Sequence, residues 1–247
     1  QRIHSVRDTI RRQIAIEMSH DWVWAYENCA AKGTYQLDAK ASGDRALRGL
    51  ALGYLCMAEK SSNETTWSTK AYQDFLNADN MTDRMHALTA LVHNHLPHAA
   101  SALSHFYAMF KHDDLVIDKW FALQATRQSD LSNPRSVLKD VLALRQHPDF
   151  SLKNPNRARS LIHAFCMNNP GAFHQPEAAS YEFWAKHVIE LNQINPQVAA
   201  RLARGLDRWK QFAPNYQVHM KSALELIAKQ DNLSSDVAEV IEKALNS

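Results

Sequence analysis

The sequence predicts an all-α fold, an irregular α-solenoid of about ten to twelve antiparallel helices in helix-pair repeats. Apolar residues recur at helical spacing, as in Tyr181, Trp184 and Val188. Asn-Pro pairs lie between these patterns, and such pairs are favoured at helix starts. No alternation of apolar and polar residues is long enough to predict a strand, and the 6 glycines disfavour turn-rich β folds.

In the first half of the chain, the apolar patterns indicate five helices separated by short loops. Their expected spans are 2–31, 42–59, 66–78, 82–96 and 98–112. The fourth has apolar residues at Met85, Leu88 and Leu91. Thr82 is its expected N-cap, and Asp83 places a negative charge where the helix dipole favours one.

In the second half, the expected spans are 114–126, 134–146, 156–168, 177–193, 196–211, 215–229 and 234–246. The Asn-Pro pairs at 133–134, 154–155 and 195–196 are expected to begin helices, whereas the pair at 169–170 is expected to end one. The first two pairs open stretches of similar order, Asn-Pro, amphipathic helix, then Pro and Phe. This similarity indicates either repeated helical units or a coincidence between two helix starts.

Composition limits the function classes. Lys and Arg total 28 against 26 Asp and Glu, and the net charge of +2 argues against nucleic acid as a partner. No apolar run is long enough to span a membrane. The three cysteines are widely spaced, so buried reduced thiols and a cytoplasmic location are expected. The tryptophans are expected to pack in the core rather than to stack on bases.

Common catalytic motifs are absent. The sequence has no His-Glu dipeptide and therefore no H-E-x-x-H zinc helix, and it has no G-x-S-x-G, Walker or G-x-G-x-x-G motif. His93, His95 and His98 are expected to lie on the surface or at helix ends rather than to bind zinc. Cys166 and His163 are three apart, but a buried structural thiol is expected there rather than a nucleophile and its base.

Two basic groups remain as candidates for binding. Arg157 and Arg159 open the helix after Asn156. The second group follows at spacings of four, three and four, which would place all its members on one helical face: Gln197, Arg201, Arg204 and Arg208. These groups are either solvated and paired with carboxylates such as Asp207, or they face a carboxylate or a peptide backbone, for which Arg has forked donors.

Several stretches resemble the helical C-terminal domain of the bacterial aminopeptidase N family, zinc-dependent aminopeptidases of the gluzincin class. They are Asn80-Met81-Thr82-Asp83, Asp118-Lys119-Trp120-Phe121 with Gln124-Ala125, Asn154-Pro155-Asn156-Arg157-Ala158-Arg159-Ser160-Leu161, Asn195-Pro196-Gln197-Val198-Ala199-Ala200-Arg201-Leu202, Asn232-Leu233-Ser234 and Lys243-Ala244-Leu245. The match in order and spacing runs from about Arg45 to the end of the chain.

The resemblance implies that 1–247 is a single helical-repeat domain, the C-terminal part of a longer enzyme, and the first residue, Gln1, agrees with a fragment. The parent would hold zinc in a thermolysin-like catalytic domain through H-E-x-x-H and a downstream Glu, and the substrate amine through G-x-M-E-N. This chain alone would hold no zinc, carry no catalytic residue and be inactive.

In that family the helical domain closes over the catalytic domain, encloses an internal chamber and contacts short peptides. The resemblance assigns substrate contact to Arg159, Gln197 and Arg201. The spacing of Gln197 and Arg201 agrees, because residues four apart share a helical face. Two other functions stay open: a free-standing α-solenoid scaffold that binds a protein or peptide and, more remotely, a nucleic-acid-binding helical repeat.

Overall fold

The computed structural model describes residues 2–30, 35–60, 64–129, 133 and 135–246, and the regular elements among them are all helical. The all-α prediction is therefore confirmed. The chain divides into two compact units, Gln1–His112 and Asp113–Ser247, and each is described by itself below. The single domain expected over 1–247 stays a prediction. None of the described helices is long and apolar enough to cross a membrane.

The first unit contains six helices among its described residues: α1 (Arg2–Glu17), α2 (Ser19–Asn28), α3 (Ala39–Glu59), α4 (Thr66–Asn77), α5 (Met81–His93) and α6 (Ala99–Phe110). The long helix α3 packs against α1, α2, α4 and α5. Large side chains on four of the helices are fully buried, among them Leu52, Phe75, Leu88 and Phe106. Burial of these side chains is the main stabilising contribution in this unit.

Side-chain caps set where helices of the first unit begin. Asn80, and not Thr82 as expected, caps α5, because its Oδ1 accepts the backbone N–H of Asp83. The start of α4 has no side-chain bond from its own N-cap residue. Instead, the buried carboxylate of Glu59 accepts the backbone N–H groups of Trp67 and Ser68. The end of α3 thereby satisfies the first free amides of α4.

The second unit contains shorter elements. They are α7 (Asp114–Ala125), α8 (Ser136–Leu144), α9 (Pro155–Ala158), a π-helical turn (Arg159–His163), α10 (Ala164–Asn168), α11 (Pro170–Phe173), α12 (Ala179–Ile194), α13 (Pro196–Ala203), two 3₁₀ turns (Arg204–Leu206 and Trp209–Gln211), α14 (Pro214–Ala228) and α15 (Ser235–Asn246). Helix α12 packs against α13 and α14, and α15 packs against the same two helices.

Tryptophans anchor the second unit through both ring burial and hydrogen bonding. Trp184 is fully buried, and its indole N–H donates to the carbonyl of Leu202 at 2.8 Å. Trp209 donates in the same way to Ala244 at 2.8 Å. The expected core role of tryptophan is confirmed here, but it is wrong for Trp24 in the first unit, whose surface is 62% exposed.

Three expected helices differ from the regular, unbroken α-helix that the apolar pattern predicts. The span 2–31 is divided at Met18, and its last residue lies outside the described part. The span 156–168 is continuous but contains the π-helical turn. The span 196–211 ends as an α-helix at Ala203, where the indole of Trp184 takes the Leu202 carbonyl and the chain continues in 3₁₀ turns. A buried side chain thus ends a helix that the apolar pattern alone would prolong.

The Asn-Pro predictions are mostly confirmed. Asn154 and Asn195 cap α9 and α13 through their side-chain oxygens. The start expected at 133–134 falls partly outside the described residues, and α8 begins at Ser136. Asn169 follows the end of α10, as expected, but it also caps the short helix α11, which the sequence did not predict.

Candidate functional site: an exposed arginine pair beside a π-helical turn

Arg157 and Arg159 differ sharply in their surroundings. Arg157 is buried, its Nε donates to Asp118 at 2.7 Å, and its other nitrogens donate to the Asp149 carbonyl at 2.6 Å and the Asp114 carboxylate at 3.2 Å. Arg159, two residues later, is exposed and forms no ion pair with the described part of the chain. Arg157 is therefore structural, whereas the guanidinium of Arg159 is available to bind a ligand.

Arg159 begins the π-helical turn, which ends at His163. The backbone N–H of Ala164 donates to the carbonyl of Arg159, five residues earlier, so the turn holds one residue more than an α-helical turn. Such turns occur frequently at functional sites. Arg159 and His163 are one turn apart, and the His163 ring is half-buried.

Helix α13 carries the other two predicted contact residues. Asn195 fixes its first turn by accepting the backbone N–H of Val198 at 3.2 Å. Gln197 and Arg201 lie four residues apart on this helix and are both exposed. Neither side chain forms an ion pair or hydrogen bond within the residues that the structure describes.

Close packing joins α10 to the segment that follows α13. The Sδ atom of Met167 lies 2.8 Å from the position that a Cβ on Gly205 would occupy, and Trp184 Nε1 lies 3.2 Å from it. Met167 is one turn beyond His163, and Gly205 is one turn beyond Arg201. The absence of a side chain at Gly205 therefore lets the two segments approach next to the predicted contact residues.

The positive charges of Arg159 and Arg201 both act on the His163 ring. Burial lowers the pKa of His163 below its ordinary value of 6.5, and the positive charges of Arg159 and Arg201 lower it further. Both predicted arginines thus influence the same half-buried imidazole, and Gln197 lies one turn before Arg201 on α13. We call Arg159, His163, Gln197 and Arg201 the arginine site.

The longer stripe expected on one helical face is wrong beyond Ala203. Arg204 begins a 3₁₀ turn and Arg208 lies past it, so neither continues the face of α13. Both arginines are exposed and act on Asp207, whose pKa is raised by burial and lowered in part by Arg204, Lys243 and Arg208. The solvated interpretation therefore fits this part of the stripe, although neither arginine forms an ion pair with Asp207 among the described residues.

His163 is a member of the site that the sequence did not identify. Its spacing of four from Arg159 was visible in the sequence, but the influence of Arg201 on its ring arises only in the folded chain. The pairing with Cys166 as nucleophile and base is not supported. Cys166 is buried, and burial raises its thiol pKa well above the ordinary value, which disfavours the reactive thiolate.

The histidines singled out as possible metal ligands lie at helix ends. His93 is the last residue of α5, and His98 precedes α6 and stacks on Tyr72 with ring centroids 4.6 Å apart. The described residues include no group of three His, Cys, Asp or Glu side chains placed to hold a metal ion. The described side chains therefore do not fit a zinc ion. The family resemblance implies zinc in a neighbouring catalytic domain and not in this chain.

Residues 1–246 match the family described as "Domain of unknown function (DUF3458_C) ARM repeats". The chain belongs to this family. The predicted α-solenoid class is thereby confirmed, because ARM repeats are stacked helical units that form solenoids.

The relatives that this chain matches are longer chains. This chain is 38% identical over 243 residues to aminopeptidase N of Haemophilus influenzae and 37% identical to aminopeptidase N of Escherichia coli, covering 98% of itself in each case. The structure of Legionella pneumophila aminopeptidase A in complex with aspartic acid matches with a TM-score of 0.85 and 29% identity. It is matched over 98% of this chain and 28% of its own.

The resemblance to the helical domain of bacterial aminopeptidase N is therefore confirmed. The chain spans about a quarter of the length of these relatives, 27% of each aminopeptidase N and 28% of the Legionella chain. What these comparisons show is homology to part of an aminopeptidase.

Proposed function

We propose that this chain is the C-terminal helical domain of a zinc aminopeptidase, closes its catalytic chamber and contacts the peptide beyond the bond that is cut. The similarity to aminopeptidase N along 98% of the chain carries this proposal. The parent would remove N-terminal amino acids from short peptides, with zinc and the catalytic groups in its catalytic domain. The three buried free cysteines suit a cytoplasmic enzyme.

The contact with peptide is proposed for Arg159, Gln197 and Arg201. Guanidinium and amide groups donate hydrogen bonds to peptide carbonyls, and these three side chains are exposed. In the described part of the chain no carboxylate lies within ion-pair distance of either arginine. Such contacts beyond the cleaved bond would orient the peptide without taking part in the chemical step.

We expect Arg201→Ala in the parent enzyme to lower kcat/KM for a tetrapeptide about tenfold, the effect of losing roughly 1.4 kcal/mol of binding. A small chromogenic amino-acid amide should be cleaved at an unchanged rate, because it does not extend to Arg201. Steady-state kinetics with both substrates measures this, and Arg208→Ala is the matched control. Equal losses on both substrates would show that Arg201 has a structural role instead.

The ARM-repeat description also suits the scaffold alternative. Two measurements distinguish that alternative from the aminopeptidase proposal. An immunoblot of source cells should reveal a polypeptide far larger than 28.1 kDa if the aminopeptidase proposal holds. The isolated chain should neither bind zinc tightly nor hydrolyse an alanyl anilide. A native chain near 28.1 kDa that captures a specific partner would favour the scaffold.

A further inference from the structure

Helix α1 carries an apolar stripe on its outer side. Ile3, Val6 and Ile10 are 75%, 57% and 53% exposed, and spacings of three and four place them on one face of the helix. A surface helix normally turns such a face toward the core, because burial of apolar area stabilises the fold. The described residues leave this stripe largely uncovered, so it is a candidate contact surface.

The opposite side of α1 is the one that packs. Helix α1 contacts α2 and α3, and its Ala15 has no exposed surface. His4 and Asp8, which precede Ala15 by eleven and seven residues, are half-buried. At 3.6 residues per turn, these three lie on the side of the helix away from the apolar stripe. The first ten residues of α1 thus turn polar side chains toward their neighbours and apolar ones away, the reverse of the usual arrangement.

Exposed apolar side chains are concentrated in the first part of the chain. Among the described residues, ten of the seventeen large apolar side chains that are exposed lie within residues 1–50. Trp24 on α2 and Leu47 and Leu50 on α3 are three of them. Single exposed apolar residues are normal on a protein surface, whereas their concentration is typical of a surface that another molecule or domain covers.

Two unpaired arginines border the stripe. Arg7 lies four residues after Ile3, Arg11 lies four residues after Arg7, and both are exposed. Neither forms an ion pair with the part of the chain that the structure describes. An arginine gains most from a carboxylate that accepts two of its N–H groups. The surface that covers the stripe should therefore be apolar at its centre and acidic at its rim.

We propose that α1 docks through Ile3, Val6 and Ile10 onto the part of the longer polypeptide that precedes this chain, on an apolar surface bordered by carboxylates. This docking rests on the proposed function, which supplies that polypeptide. The chain covers only 27% of each aminopeptidase N that it matches, and it corresponds to their C-terminal domain. Most of such a polypeptide therefore precedes α1 and is joined to it through the backbone.

The backbone link favours this occupant over a second copy of the chain. A stable interface between free molecules usually involves about 20–30 residues on each side, whereas the stripe offers three large side chains from one helix. A second copy must also offset the translational and rotational freedom that is lost on association. A partner on the same polypeptide is present at a high effective concentration, so a small contact is sufficient.

The first test measures whether the stripe is covered in the native longer polypeptide. Single cysteines are introduced as Val6→Cys, Ile10→Cys and, as the control on α14, Val218→Cys, at a residue that is 62% exposed. Mass spectrometry of proteolytic fragments gives the rate of maleimide modification at each site, and rates in urea correct for intrinsic thiol reactivity. The native state should slow the reaction at least about tenfold at positions 6 and 10 and less than about threefold at the control, because a covered thiol reacts only after local opening.

A photo-crosslink identifies what covers the stripe. The residue p-benzoylphenylalanine replaces Ile10 in the same polypeptide, and mass spectrometry after irradiation locates the captured segment. We expect a crosslink within one polypeptide, to residues that precede Gln1. Crosslinks between two copies, crosslinks within residues 1–247, or native maleimide rates at both positions close to those in urea would overturn the proposal.

Charge reversal tests the acidic rim. Arg7→Glu should raise the native maleimide rate of the Ile10→Cys variant several-fold, because a negative charge at this edge is repelled by carboxylates of the partner. Arg12→Glu is the matched control and should leave the rate unchanged, since Arg12 is exposed on the side of α1 away from the stripe. Equal rates in the two charge variants would contradict an acidic rim beside Arg7.

The outcomes also separate this docking from the proposed function. If the stripe is as reactive as in urea while Arg201→Ala in the arginine site impairs only peptide cleavage, the peptide contact stands and the docking is wrong. If the stripe is protected and crosslinks to the preceding part while Arg201→Ala lowers peptide and chromogenic amide cleavage equally, the docking stands and the peptide contact is wrong.

Discussion

Arg157 and Arg159 illustrate how two identical residues at close spacing take opposite roles. The sequence presents them as one basic group, but Asn154 starts α9 so that Arg157 points to Asp118 and Arg159 to the solvent. The spacing of two places them on different sides of the helix. The side of the helix that faces α7 is the buried one. The local sequence around Arg157 carries no information on where α7 packs.

We expect Arg157→Ala to lower the free energy of unfolding by about 3 kcal/mol, since it leaves the nearly buried Asp118 carboxylate without its charged partner. Arg159→Ala is the matched control and should change it by less than about 0.5 kcal/mol, as expected for an exposed residue. Urea denaturation of the two variants measures both values. Similar stabilities for the two would contradict the structural role of Arg157.

Two glycines of α3 should respond oppositely to the same substitution. A Cβ on Gly49 would overlap the ring of His86 and approach its Cβ to 2.9 Å, whereas a Cβ on Gly53 meets nothing within 4 Å. We expect Gly49→Ala to destabilise the chain by about 1–3 kcal/mol through overpacking. Gly53→Ala should stabilise it by up to about 1 kcal/mol, because alanine is the better helix former.

Thermal unfolding of the two glycine variants tests this difference in sign. A Gly49→Ala variant as stable as the wild type would mean that α3 and α5 can separate without cost, which contradicts the close contact at His86.

At the scale of single elements, the sequence predicts a helix well where local chemistry decides at which residue the helix begins. Asn154 and Asn195 were predicted as caps because Asn-Pro has a defined preference at a helix start. Asn80 was missed in favour of Thr82, since both residue types suit an N-cap and the apolar pattern does not distinguish positions two apart. The π-helical turn has no sequence signature of its own, so the element that carries Arg159 and His163 could not be predicted.

Asn169 and Asn195 allow two contributions to stability to be compared. One is a helix cap alone, and the other is a helix cap whose buried amide also donates to backbone carbonyls. Both accept a backbone N–H at a helix start, but the buried Asn169 amide also donates to the carbonyls of Ala125 at 2.9 Å and Arg127 at 2.8 Å. We expect Asn195→Ala to cost about 1 kcal/mol and Asn169→Ala about 3 kcal/mol.

Chemical denaturation measures both costs. Asn169→Asp is the informative control, because it keeps the capping oxygen and removes the two donors, so it should resemble Asn169→Ala. An Asn169→Asp variant with wild-type stability would show that the hydrogen bonds to the Ala125 and Arg127 carbonyls contribute nothing to the free energy of unfolding.

At the scale of the whole molecule, the all-α class and the family follow from periodicity and motifs along most of the chain. The choice of Arg159, Gln197 and Arg201 came from the family resemblance and remains a prediction. That Arg159 and Arg201 both act on the His163 ring could not be read from the sequence, because it depends on tertiary packing such as the contact at Gly205. That contact depends on the shape of Met167 and Trp184, which no local pattern encodes.

Stability should decline in mild acid, because burial lowers the pKa of His86, His163 and His187. The folded chain then binds fewer protons than the unfolded chain below the ordinary histidine pKa of about 6.5. Stabilisation is complete above that pH and is lost as the pH falls through it. Each histidine contributes at most about 1.4 kcal/mol per pH unit between its unfolded and folded pKa values.

Among the three, the pKa of His187 is lowered first by burial and also by the charge of Arg145, although its bond to the Phe183 carbonyl raises it in part. Its Nδ1 donates to the carbonyl of Phe183 at 2.7 Å, and its Nε2 accepts from Arg145 Nε at 3.3 Å. Thermal unfolding from pH 7.5 to 5 should therefore show a slope in Tm that is reduced in His187→Gln. Equal slopes in wild type and variant would contradict a folded-state pKa of His187 that burial lowers.

The bond between the Trp209 indole and the Ala244 carbonyl has an optical consequence. Indole emission depends on the polarity around the ring, and this ring is shielded by the last turn of α15. Fraying of that turn would admit water to the indole and shift its emission to longer wavelength. The difference spectrum between wild type and Trp209→Phe is thus a built-in fluorescent reporter of whether α15 is docked.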